Sequence, residues 1–232
     1  MEFCNFVEHD HSTWQKLYAN LDYARKEQAH PLHTEGLKVL GIGPEHIPSM
    51  ADVNRKLKEI TGWKVVPAAG LVDGGDFFKG LANKEFPVGN FIRDQSNLAY
   101  TPAPDVFHDL YGHVPFFADK KYADFCQRFG QSAMKHGHTP ERLRQYERAF
   151  WFGVEFPLIN TDVGARIFGG GILSSYNECN YSLGTKPKKI PFDMSIISAM
   201  EYRIDIMQET LFVLDSEDQL YDCINDLERF LN

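Results

Sequence analysis

The densest run of chemistry-bearing side chains is Pro104-Asp105-Val106-Phe107-His108-Asp109-Leu110-Tyr111-Gly112-His113-Val114-Pro115. Its two histidines are five residues apart. On an ideal α-helix that spacing places them ~140° apart around the axis, so one metal ion reaches both only where the helix is distorted or ends near Gly112. Pro115 favours such an end, because the residue before a proline is pushed out of the helical region. The pattern differs from the zinc-protease H-E-x-x-H, whose histidines four apart share a face. A third donor comes from Phe150-Trp151-Phe152-Gly153-Val154-Glu155-Phe156, where one carboxylate sits in an apolar helical stretch. Burying Glu155 without compensation would be costly. Arg148 or Arg166 could neutralise it as an ion pair, and a metal ion would serve equally well. Two histidines and one carboxylate leave open positions on non-haem iron(II), and the same donors serve hydrolytic zinc. Trp151, four residues before Glu155, lies beside it on a helix. An aromatic wall suits a flat substrate better than a hydrolysed peptide.

Helical periodicity supplies most of the scaffold that must hold these groups. Ser12 and Gln15 form a capping-box pattern ahead of Trp14, Leu17, Tyr18 and Leu21. A helix over 49–61 aligns Met50, Val53, Leu57 and Ile60 and stops at Gly62. Asp119 opens another, with Tyr122, Phe125, Cys126, Phe129 and Ala133 inward and Gly137 closing it. Thr139-Pro140, an N-cap followed by proline, starts the helix that carries Leu143, Tyr146, Phe150 and Val154 and so delivers Glu155. Ser216 with Gln219 caps a last helix lined by Leu220, Cys223, Ile224, Leu227 and Phe230. Strand-like material is sparse: 202–206 alternates, and the apolar run 211–214 is about right for its partner. The glycine-rich stretches 70–80 and 169–171 read as connections. The fold expected is mainly α with a small β ribbon, in one domain with long loops.

Composition narrows the function classes. The 232 residues carry 24 Lys and Arg against 32 Asp and Glu, a net charge of −8. That balance argues against a nucleic-acid partner, which asks for clustered basic residues. With 43% hydrophobic and 24% charged residues the chain is ordinary for a globular protein. Four cysteines without a C-x-x-C pair suggest neither zinc ribbon nor redox motif and fit the reducing cytoplasm. The sequence shows no signal-peptide pattern and no apolar run approaching the ~18 residues of a membrane span. Aromatics make up 13%, enough to line a ring-shaped pocket as well as a core.

These motifs in this order resemble the catalytic core of the pterin-dependent aromatic amino acid hydroxylases. The resemblance rests on Tyr100-Thr101-Pro102-Ala103-Pro104-Asp105 running into His108 and His113, on Trp151 to Phe156, and on Gly171-Ile172-Leu173-Ser174-Ser175. It extends upstream through Pro67-Ala68-Ala69-Gly70-Leu71, Asp76-Phe77 and Gly80-Leu81-Ala82 and downstream through Lys186-Pro187 to Gln208, covering about 60–215. The family's pattern implies that His108, His113 and Glu155 bind Fe(II). It implies that Arg93 pairs with the amino-acid carboxylate, where an ion pair with Asp94 or another acid is the plainer reading. Thr101, Gly171, Ser174 and Ser175 would lie near the substrate backbone or orient the site, and Trp151 and Phe156 would wall its ring. Gly70 and Leu71 would hold the pterin edge, and Phe77 would stack on it. The implied reaction uses tetrahydropterin and O2 as co-substrate, one oxygen atom going to the aromatic ring and one to the pterin.

Departures from the family's pattern are Asp109, where glutamate is usual near the pterin; Gly153 and Pro157, in place of threonine and glycine; and Asn177, where glycine is common. Pro157 would clash with the carbonyl of Gly153 in a continuous helix, so a kink is expected around Glu155. Trp151 resembles the phenylalanine and tyrosine enzymes rather than the tryptophan enzymes. Ile204 stands where tyrosine enzymes tend to have aspartate, and an apolar residue there would leave a phenol hydroxyl unpaired. Phenylalanine is therefore the expected substrate, with tryptophan or tyrosine as the alternative. The sequence shows neither an N-terminal regulatory domain nor a C-terminal tetramerisation helix. It thereby resembles the short bacterial phenylalanine hydroxylases, and a cytoplasmic monomer is expected. The remaining alternatives are a His2Glu zinc hydrolase and a catalytically silent pterin- or amino-acid-binding protein.

Overall fold

In the computed structural model, residues 1–99, 101 and 103–231 are described, without the side chains of 230 and 231. Tyr100 and Pro102 of the 100–105 motif and the inward role expected of Phe230 fall outside that description. Helices dominate, as expected, in the order α1 (Glu8–Asn20), α2 (Pro31–Leu40), α3 (Met50–Ile60), α4 (Gly74–Ala82), α5 (Lys120–His136) and α6 (Pro140–Phe150). After them come the short turns α7 (Gly170–Leu173), α8 (Tyr176–Ser182) and α9 (Met194–Ile197), and a final α10 (Glu217–Leu231). Among the described residues no helix is long and apolar enough to cross a membrane.

The caps explain why most of these helices start where they do. Ser49 Oγ accepts from the Asp52 amide, Asp119 Oδ1 from that of Tyr122, and Thr139 Oγ1 from that of Arg142. Ser216 Oγ likewise accepts from the amide of Gln219 ahead of α10. Gly62, at φ +79°, ends α3 in the left-handed region. The first helix departs from the capping-box expectation: it begins four residues before Ser12, at Glu8, and Thr13 Oγ1 bonds back to the His9 carbonyl inside it.

Two small sheets replace the single ribbon expected. In the first, β1 (Lys64–Ala68) and β2 (Glu85–Gly89) run parallel, joined by a crossover through α4. The glycine-rich stretch 70–80, expected as a connection, is therefore largely helix, begun by Asp73 accepting from the Gly75 amide. In the second sheet, β3 (Leu158–Thr161) and β4 (Gly164–Ile167) form a hairpin, and β3 continues in parallel to β6 (Thr210–Leu214) and β6 to β5 (Lys188–Pro191). The apolar run 211–214 is thus a central strand, as its four apolar residues suggested. Its expected partner is not: 202–206 forms a loop, because Ile204 and Ile206 are exposed and an Arg203–Asp205 ion pair closes the turn between them.

A continuous core runs from Trp14 and Leu37 through Phe107, Phe116, Phe125 and Phe129 to Phe212 and Leu227. α4 lies so close to α5 that a Cβ at Gly130 would stand 2.4 Å from the Ala82 amide nitrogen. This packing fixes the rims on which the chemistry-bearing residues sit.

Candidate active site

The two histidines come together through a change of helix type. Residues His108–His113 form a π-helical turn, followed at once by a 3-10 turn over Val114–Ala118 that contains Pro115. Hydrogen bonds from i to i+5, such as the Val114 amide to the Asp109 carbonyl, widen the turn so that residues five apart return to one side. His108 Nε2 and His113 Nε2 lie 3.2 Å apart. The same device delivers the carboxylate. α6 passes into a second π-helical turn, Trp151–Glu155, closed by the Phe156 amide on the Trp151 carbonyl at 3.0 Å. The helix ends at Phe156, one residue before Pro157, which is the break the proline demanded.

Glu155 Oε2 lies 3.1 Å from His113 Nε2 and 3.8 Å from His108 Nε2. The three donor atoms fall within 4.8 Å of one another, and among the described residues no other group of three such side chains does so. The arginines offered as alternative partners are engaged elsewhere. Arg148 pairs with Glu141 and Glu201 and donates to the Ser198 carbonyl, and Arg166 donates to the Ala165 carbonyl. Burial holds His108 down to about 4, so its ring is neutral and its lone pair free for a metal. Burial also opposes protonation of His113, but the adjoining carboxylate outweighs it and holds His113 above its usual range. Burial alone would raise Glu155, yet His113 and His108 keep it below the ordinary carboxylate value. Two imidazoles facing one ionised carboxylate in a buried pocket match what a divalent iron site asks of its ligands.

A ring of supports orients this triad. Ser174 Oγ donates to the Gly171 carbonyl at 3.1 Å, so it accepts from His108 Nδ1–H at 2.9 Å, which leaves Nε2 unprotonated toward Glu155. Ser174, Gly171 and Gly170 lie on or beside α7, which passes too near the triad for any side chain. A Cβ at Gly170 would sit 2.5 Å from the His113 ring, and one at Gly171 2.7 Å from Glu155 Oε2. The stretch 169–171, expected as a connection, is therefore the start of a helical turn set against the ligands. Ser175 caps α8, accepting from the Glu178 amide, and Thr101 donates to the Ala103 carbonyl.

Arg93 is 7% exposed and paired in two places with Asp105, Nε to Oδ2 and Nη2 to Oδ1, both at 2.8 Å. The acid is thus Asp105, not Asp94, and the pair is buried rather than superficial. Asp105 also accepts from the His108 amide, linking Arg93 to the first histidine of the triad. Asp105 carries one sequence signal of this role, an aspartate three residues before His108 being an N-cap pattern. Asp109 is buried beside the triad. Its Oδ2 accepts from the Gly89 amide at 2.7 Å, and burial pushes its carboxyl up to about 8.

A cleft of about 300 Å³ opens beyond β1 and β2, and Gly70, Leu71 and Phe77 all line it, with Ala68, Asp76 and Pro87. The Phe77 ring is braced edge-on by Phe150 at 4.8 Å. Phe86 stands between cleft and triad, with its centroid 6.1 Å from Phe77 and 5.4 Å from the His113 ring. Trp151, four residues before Glu155, packs on Phe156 at 4.6 Å and on Tyr202, stacked at 4.5 Å. Ile204 is not brought to this cluster: it is 73% exposed on the outside of the 201–209 loop.

A two-histidine, one-carboxylate centre, with Phe86 linking His113 to a cleft of about 300 Å³, has the parts a pterin-using non-haem iron oxygenase requires. The chain matches the biopterin-dependent aromatic amino acid hydroxylase family over residues 1–232, and it belongs to that family. It is 41% identical over 214 residues to the phenylalanine-4-hydroxylase of Chromobacterium violaceum, covering 92% of this chain and 72% of that relative. A crystal structure of Chromobacterium violaceum phenylalanine hydroxylase with bound iron(III) and oxidised 7,8-dihydrobiopterin matches with a TM-score of 0.92. There the identity is 39%, covering 98% of this chain and 83% of that one. Phenylalanine hydroxylase from Legionella pneumophila matches with a TM-score of 0.92 at 36% identity, over 98% and 90% of the two chains.

Proposed function

We propose that this aromatic amino acid hydroxylase converts phenylalanine to tyrosine, with His108, His113 and Glu155 holding iron(II) and the Gly70–Leu71–Phe77 cleft holding the reduced pterin. The observation that carries the reading is the convergence of those three donors, with Phe86 between His113 and the cleft residue Phe77. Bound iron supplies oxygen activation, which the side chains themselves lack. The residues present orient and shield. Ser174 keeps the His108 Nε2 lone pair toward the metal position, and Gly170 and Gly171 let α7 close against the ligands. Phe77 offers a ring for the pterin to stack on, and Asp109 places a buried carboxyl between the Gly89 amide and the triad. Arg93, held by Asp105, directs a fixed cation toward the amino acid's carboxylate. Trp151 and Phe156 wall the substrate ring, with Thr101 and Ser175 at the rim. Phenylalanine rather than tyrosine is supported by the aromatic faces of Phe156 and Tyr202 packed on Trp151, which suit an unsubstituted ring. A monomer is supported by α10, whose Leu220, Cys223, Ile224 and Leu227 are already buried within this chain. The test is turnover by iron(II)-loaded protein with tetrahydrobiopterin, O2 and each aromatic amino acid in turn. Phenylalanine should show the highest kcat/KM, and preference for tyrosine or tryptophan would refute the assignment.

A further inference from the structure

Gln208 is 5% exposed, and every polar atom of its carboxamide is committed. Oε1 accepts from the Trp151 indole Nε1–H at 3.0 Å, while Nε2 donates to the Arg203 carbonyl at 2.8 Å and to the Ile206 carbonyl at 3.1 Å. An indole has one N–H and no acceptor, and a carbonyl accepts only, so the amide fits in one orientation. Tyr202, on the same loop, lies nearly parallel to the indole at 14°. The loop therefore grips Trp151 twice, by its edge through Gln208 and by its face through Tyr202. Its outward side chains add little anchorage: Ile204 and Ile206 are exposed, and Arg203 pairs with Asp205 in solvent. Gln208 is the group that both closes the loop on itself and ties it to the indole.

We infer that Gln208 is a positioning residue of the substrate wall, setting the tilt of Trp151 against the aromatic ring to be hydroxylated. The inference rests on the phenylalanine reading above. A wall free to rock holds the ring less well and lets pterin oxidation proceed without hydroxylation. Gln208→Met keeps the side chain's length and removes all three hydrogen bonds. In iron(II)-loaded enzyme it should raise KM for phenylalanine by about fivefold, with a smaller change in kcat, and lower the tyrosine formed per pterin oxidised. In a Trp151→Phe background, which lacks the indole N–H, the same change should matter less than about twofold. Gln208→Glu, which keeps an oxygen toward the indole, should stay nearer the wild-type KM; if Gln208→Met melts at assay temperature, Gln208→Leu, which also removes all three hydrogen bonds, serves in its place.

The chain has three tryptophans, so a proton–nitrogen NMR spectrum of zinc-loaded protein shows at most three indole signals. Gln208→Met should move the one signal that Trp151→Phe removes and leave the others in place. An unmoved signal, or equal effects of Gln208→Met with and without Trp151, would overturn this role while wild-type phenylalanine turnover stands. Absent wild-type turnover would overturn the function and this role together.

Discussion

Each ligand of the candidate iron centre depends on a neighbour with no donor role of its own. Gly170 shows this most sharply, because a methyl group there meets the His113 ring at 2.5 Å and the backbone of α7 must give way. Gly170→Ala should cost about 1–3 kcal/mol in chemical denaturation and reduce iron binding more than overall stability. A pH dependence arises elsewhere. Glu178 lies partly buried on α8, its Oε2 without a hydrogen-bond partner among the described residues, and burial pushes its carboxyl from 4.5 up to about 7. The unfolded chain therefore ionises first, and this group's contribution to stability is lost as pH rises through that interval. Glu178→Gln should leave the melting temperature unchanged at pH 4 and raise it at pH 8; equal shifts at both would contradict the burial argument. The candidate metal donors were legible in the sequence by type. Asp105 was not singled out, because nothing in a linear reading distinguishes a buried acid paired with arginine from a solvated turn residue.

Among the elements, the two π-helical turns do the positioning. Histidines five apart cannot share a side of an α-helix, a conflict visible in the spacing alone, whereas its resolution is not. The resolution is a widened turn anchored by Asp105, which caps the segment at His108 and holds Arg93. Asp105→Asn leaves the buried guanidinium without its counter-charge and should cost about 3–5 kcal/mol, read by denaturant unfolding, with activity falling further than stability. The loop at 202–206 shows the opposite limit. Its alternation suggested a strand, but alternation identifies a strand only where one face is buried, and here Ile204 and Ile206 face water. The strand β6 instead pairs in parallel with β3 and β5, segments far from it in sequence, and such pairing leaves no local signature.

For the molecule as a whole, the candidate ligands come from two distant stretches of chain joined only through packing, so metal bound there would be linked to folding. A divalent metal at a hundred times its dissociation constant adds about 2.7 kcal/mol to stability. For a chain of this length each kcal/mol raises the melting temperature by roughly 2–4 °C. Zinc or anaerobic iron(II) should therefore raise it by several degrees in the wild type and not in His108→Ala, as differential scanning calorimetry can check. The sequence by itself determined the candidate donors, the helical character, the starts of α3, α5, α6 and α10 and the family, because residue types, caps and motif order are local properties of the chain. Only the tertiary structure decided that His108, His113 and Glu155 converge and that Arg93 is held by Asp105. It also decided that Gly70, Leu71 and Phe77 share one cleft and that Ile204 lies outside the site. Those facts depend on how α4, α5, α7 and the two sheets pack, and packing distances between remote segments are not written in any short stretch of sequence.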